Sequence, residues 1–102
     1  MTEQEAITIV VEGLVGARSI PVKLRAREGL DREGVAQVKE ALRFLAEQWE
    51  GRPDVPRQVA LAFVDIGSNI TWAQGGYTER EQAEIEAAGM ELTELGLALF
   101  DG

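Results

Sequence analysis

The chain has 102 residues, 45% of them apolar, with 18 acidic against 10 basic side chains and a net charge of −8. Such a composition suits one globular domain over residues 1–102 and excludes a wholly disordered chain. Cys and His are absent, which excludes disulfides, thiolate or imidazole metal sites, Cys nucleophiles and catalytic histidine.

Ala6 to Val11 is short and β-branched and predicts a strand, with Ile7, Ile9 and Val11 on one face. A glycine-bracketed loop, Gly13 to Ala17, follows. Ser19 to Arg27 alternates strictly: Ile20, Val22, Leu24 and Ala26 face one way, Pro21, Lys23, Arg25 and Arg27 the other. This predicts a half-buried strand with a wet basic face, placed at an edge because Pro21 cannot donate to a ladder. The two strands together predict a hairpin.

Asp31 can cap a helix that starts near Arg32. Val35, Val38, Leu42, Leu45 and Trp49 follow at spacings of 3, 4, 3 and 4, one continuous apolar stripe. Gly51 and Pro53 end it. Gln58 to Ile66 reads two ways. As a strand it is apolar on both faces, with Val59, Leu61 and Phe63 on one of them; as a helix started by Pro56 it carries a stripe of Val59, Ala62, Phe63, Ile66 and Ile70. The strand is preferred, because Gly67-Ser68-Asn69 resembles a turn into a further strand, Ile70 to Trp72. Thr78 and Glu81 form a capping box, so a helix begins at Glu79. Its stripe is Ile85, Ala88, Leu92, Leu95 and Leu99; Gly89 offers the competing reading of a stop followed by a strand. The expected fold class is therefore α+β: a small two-layer ββαββα arrangement with two amphipathic helices on one face of a sheet. The alternative is ββααα. The expected core is Ile7, Ile9, Val11, Ile20, Val22, Leu24, Val35, Val38, Leu42, Leu45, Phe63, Ile85, Leu92, Leu95 and Leu99.

Charge is segregated along the chain. Residues 78–102 hold seven acidic side chains and one basic one, Arg80, whereas residues 13–32 carry a net +3. The acidic segment repels phosphates and favours basic partners, so nucleic acid is not expected as a partner. Neither a membrane nor a signal peptide is expected, since the first five residues are acidic and the longest nearly uncharged runs are short; the expected compartment is the cytoplasm. Lys23, Arg25 and Arg27 read first as edge-strand protection and second as an anion site.

No phosphate-binding glycine loop and no EF-hand spacing occurs, and no cofactor or metal is expected. Asp65 is the one acid inside an apolar run, but one carboxylate without a visible partner is not a catalytic constellation. Trp72 and Tyr77 flank Gly75-Gly76 and could form a recognition loop, although a small fold more often spends such aromatics on its core. The leading expectation is a non-enzymatic protein-binding module whose candidate contact residues are Glu84, Glu91 and Glu94 on the wet side of the last helix, together with Trp72 and Tyr77. Its partner would be a protein, preferably basic. A homo-oligomer is compatible with the leftover apolar residues Phe44, Leu97 and Phe100. A small-molecule module built on the 72–77 loop is the alternative, and a carboxylate-only enzyme using Asp65 and Tyr77 is the third reading.

Overall fold

A computed structural model of the chain describes residues 1–52, 54–68 and 76–100, the side chains of 64–68 and 100 excepted. The first element is a helix, α1 (Glu3–Val15), although its middle is β-branched. Thr2 starts it: Thr2 Oγ1 accepts from Glu5 N–H at 3.1 Å, and Thr2 N–H donates to Glu5 Oε1 at 3.3 Å. Ala6, Ile7, Val10 and Leu14 then fall on one helical face and are buried. Each β-branched residue costs a helix no more than about 0.7 kcal/mol. Burying a Val or Ile side chain gains about 1.5–3 kcal/mol, so tertiary burial outweighs local preference.

The second expected strand is a short helix, α2 (Ile20–Arg25). Ser19 Oγ caps it by accepting from Val22 N–H at 3.4 Å. Pro21 sits in the first turn, where a missing N–H is no loss, so the residue read as an edge-strand marker is a helix-start marker. Ile20 and Leu24, four apart, are buried together with Pro21. The alternation of Ser19 to Arg27 thus shares its i,i+4 members with a helix.

α3 (Arg32–Gln48) follows the expected stripe, and Asp31 caps it through a 2.9 Å bond from Gly34 N–H. Gly51, at φ +79°, turns the chain out of the helix. α4 (Arg57–Ser68) decides the ambiguous stretch in favour of the helix. Val59 and Ala62 are buried while Leu61 is 57% exposed; a strand would have put Val59 and Leu61 on the same face. Gly67 and Ser68 belong to this helix and form no turn. The expected strand Ile70 to Trp72 lies outside the described residues. α5 (Glu79–Phe100) runs unbroken through Gly89, with Ile85, Ala88, Leu92 and Leu99 buried. Its capping box is complete, Thr78 N–H donating to Glu81 Oε1 at 2.9 Å and Glu81 N–H to Thr78 Oγ1 at 3.2 Å.

The α+β expectation, in both its ββαββα and ββααα forms, is therefore corrected to an all-helical fold: five helices and no strand occur among the described residues. α1 packs on α2, α3 and α4, and α5 packs on α3 and α4, so the four long helices close a ring in the order α1, α3, α5, α4. α1 and α3 are antiparallel: Glu3 meets Trp49 at one end, and Gly13 lies against Val38 towards the other. One core joins all five helices, from Ile7 and Val10 through Leu42 and Leu45 to Val59 and Leu92. Val10, Leu14, Val59 and Ala62 join the expected core residues there; of those expected, Ile9, Val11, Val22, Phe63 and Leu95 are only half-buried.

Candidate functional site

α5 has three distinct sides. One is the core stripe already described. The second faces α3 and carries two of the expected contact residues. Arg32 holds Glu84 with two bonds, Nε to Oε1 at 2.6 Å and Nη2 to Oε2 at 2.9 Å. That fork holds the Glu84 carboxyl below its ordinary range and raises the Arg32 guanidinium. One heptad further along both helices, Lys39 Nζ donates to Glu91 Oε1 at 3.1 Å, and Arg43 Nη2 stands 3.8 Å from the same oxygen. Lys39 and Arg43 are like charges at i,i+4, a repelling pair on α3 alone; Glu91 lies within ion-pair distance of both. Both pairings join residues 52 apart, Arg32 to Glu84 and Lys39 to Glu91, so α3 and α5 run parallel in one register.

The third side points away from the core. Ala83, Ala87, Met90, Glu94 and Leu97 recur at spacings of 4, 3, 4 and 3 along it, and all five are exposed. Met90 is 66% and Leu97 59% exposed, the two lying one heptad apart. Glu79 and Glu86, also a heptad apart, flank this stripe. Among the described residues, Glu79, Glu86 and Glu94 have no ion-pair or hydrogen-bond partner for their carboxylates, whereas Glu81, Glu84 and Glu91 are all engaged.

The expected contact set is thus divided. Glu84 and Glu91 tie α5 to α3, and Glu94 alone of the three is exposed with no partner among the described residues. Trp72 lies outside the described residues. Tyr77 is half-buried against the core, and its hydroxyl donates to the Leu24 carbonyl at 2.7 Å and accepts from Gly29 N–H at 3.3 Å. It therefore fastens the start of α5 to the α2–α3 connection. Arg27 completes this joint: it adopts φ +64°, and its guanidinium lies across Gly76. Of the other basic residues read as an anion site, Lys23 pairs with Asp31 at 2.6 Å and Arg25 lies exposed on α2. That bond, with the Gly34 amide second, holds the Asp31 carboxyl below its ordinary range.

Trp49 is buried as the last residue of the α3 stripe, as expected. Its indole N–H donates to Glu3 Oε1 at 2.7 Å, and Arg52 both reaches Glu3 at 3.3 Å and lies 5.9 Å over the ring. Phe44, read as a leftover, packs half-buried against the core. Asp65 belongs to α4, but its side chain is outside the described set.

Sequence reasoning overlooked the Met90 stripe. Its signal was present as a second 4, 3, 4, 3 pattern in the last helix, out of phase with the core stripe. Among the described residues no group of three or more acids is placed to hold a metal, and no helix is long and apolar enough to cross a membrane. The chain matches no family model, no curated protein and no solved structure.

Proposed function

We propose that this chain is a non-enzymatic protein-binding module of the cytoplasm, and that it receives its protein partner on the outward face of α5. The observation that supports this is the exposure of Met90 and Leu97 in register on the side of α5 opposite the core. Single exposed apolar residues are ordinary. Two large ones a heptad apart, with Ala83 and Ala87 continuing the stripe, make a helix face that a partner can cover. A methionine side chain, unbranched and flexible, adapts to different partner shapes, which suits Met90 to this face. A small-molecule module built on the 72–77 loop has less support, because the Tyr77 hydroxyl is already committed to two backbone groups. The same bonds weigh against Tyr77 as an acid or base.

Site-specific photocrosslinking tests the proposal. A photoreactive amino acid is placed at Met90 or Leu97 in the organism's own cells, with Thr8 and Glu12, exposed on α1, as control positions. The expected result is a protein adduct at 90 and 97 and none at 8 and 12. The captured protein, once purified, binds the wild-type chain directly and the M90S/L97S variant at least about tenfold more weakly. Adducts at all four positions alike, or none at 90 and 97, overturn the reading.

A further inference from the structure

Resting on that reading, we infer that the segment received by α5 is a basic amphipathic helix. Three observations converge on this chemistry. The exposed apolar positions Ala83, Met90 and Leu97 repeat every seven residues, the period at which a second helix can lie alongside and keep its own apolar seam in contact. The stripe from Ala83 to Leu97 is about 21 Å long at 1.5 Å per residue, so a partner helix of about four turns covers it. Finally, the stripe is bordered by the only acids of α5 that are left without partners among the described residues, Glu79, Glu86 and Glu94. Every α5 acid on the α3 side that forms an ion pair is matched by a cation; the outward acids await theirs.

The same charges disfavour a second copy of this chain as the occupant. Two α5 faces in contact would bring six unpaired glutamates into one interface, with Arg80 the one cation each copy contributes from residues 78–102. A helix bearing leucine-like residues at 3- and 4-residue spacing, with Lys or Arg beside them, meets both the apolar seam and the acids. Lysine and arginine stems would cover Ala83 and Ala87 while their charged heads reach Glu86 and Glu94.

The probe is a labelled 18-residue leucine–lysine peptide with leucines at helical spacing, titrated against the full chain by fluorescence anisotropy. Controls are the leucine–glutamate peptide of the same spacing and a scrambled leucine–lysine peptide. The leucine–lysine helix is expected to bind, about tenfold or more tightly at about 50 mM than at about 300 mM salt. M90S/L97S should weaken it about tenfold or more, since two large apolar contacts are lost. E86Q/E94Q should weaken it and flatten its salt dependence. All four side chains are exposed, so melting temperatures should stay at the wild-type value and serve as the folding control. Equal binding of M90S/L97S, equal binding of the leucine–glutamate peptide, or no binding of the leucine–lysine helix each overturn the inference. So does light scattering that finds a neutral-pH dimer dissolved by M90S/L97S, because the occupant is then a second copy. If crosslinking captures a partner at Met90 while the leucine–lysine peptide fails to bind, the module reading stands and only the basic helix falls.

Discussion

At Gly96, in the C-terminal part of α5, the ring of Phe63 from α4 occupies the space that a Cβ would take. Glycine costs a helix interior about 1 kcal/mol relative to alanine, yet here it sets the distance between two helices. In Gly96→Ala the gain of about 1 kcal/mol in helix propensity meets an overpacking cost of about 1–3 kcal/mol, because a whole aromatic ring must shift. The net expectation is a loss of about 1 kcal/mol, read as a fall of about 5 °C in melting temperature. A rise would mean that Phe63 relocates freely. Asp31 supplies a second residue-scale prediction. Its carboxyl is held below the ordinary value near 3.8 by Lys23 first and the Gly34 amide second. A lowered folded pKa means that the stabilisation is fully present above the unfolded value and is lost as pH falls through the folded one. Asp31→Asn keeps a good helix cap but loses the Lys23 bond. It should therefore be less stable than wild type by about 1 kcal/mol at neutral pH, and the gap should close below pH 3.8. Urea melts across that range check it; a gap independent of pH would refute the assignment. Neither Gly96 nor the Lys23–Asp31 pair was legible in the sequence, because each depends on which element lies opposite. The Asp31 cap was legible, since it acts on its own neighbours.

The helices differ in how openly they announce themselves, and the reason is physical. α3 and the start of α5 carry local signals, a cap and a polar side that contrasts with the stripe, and both were readable. α1 is central: it meets three other helices, so Ile9 and Val11 also pack half-buried and the polar contrast that marks a helical period is blurred. The capping box at Thr2 and Glu5 was the one local clue in α1, of the same type as that at Thr78 and Glu81. In α4 the deciding facts were Leu61 turning outward and Pro56 ahead of the first turn, with its carbonyl accepting from Ala60 N–H at 3.3 Å. For the site, the acidity of α5 was legible but its division was not. Only the register with α3 separates the glutamates that hold the fold from those that face water. Sequence alone placed Glu84, Glu91 and Glu94 together on the wet side of the last helix as candidate contact residues. The structure separates them. Glu91→Gln should lose up to about 1 kcal/mol, since Lys39 and Arg43 are left beside each other, and Glu91→Lys should lose more. Glu94→Gln should change nothing measurable. Equal melting temperatures for Glu91→Lys and Glu94→Lys would show that the α3–α5 pairs do not hold the register.

For the molecule as a whole, the net charge of −8 and the exposed face of α5 oppose each other. At neutral pH, mutual repulsion keeps the Met90 and Leu97 faces of two copies apart, and a monomer is expected despite the apolar stripe. Near the isoelectric point, about 4.5, that repulsion vanishes. The fold should survive this change. The carboxyls of Asp31 and Glu84 stay ionised to lower pH than an ordinary acid, because Lys23 and Arg32 hold them so. Among the described residues, the outward acids, Glu79, Glu86 and Glu94, have no cation beside them. Acidification therefore removes net charge from the molecule while leaving the Lys23–Asp31 and Arg32–Glu84 bonds in place. Light scattering should show the wild-type chain associating as pH approaches 4.5 with its helical circular dichroism unchanged. The M90S/L97S variant, with the same charge at every pH, should associate far less. If both chains associate alike, the attraction resides elsewhere on the surface and the outward face of α5 is not the molecule's adhesive side. If the wild type alone does so, one physical quantity, the net charge of the molecule, decides whether that face rejects its own copies or waits for a basic partner.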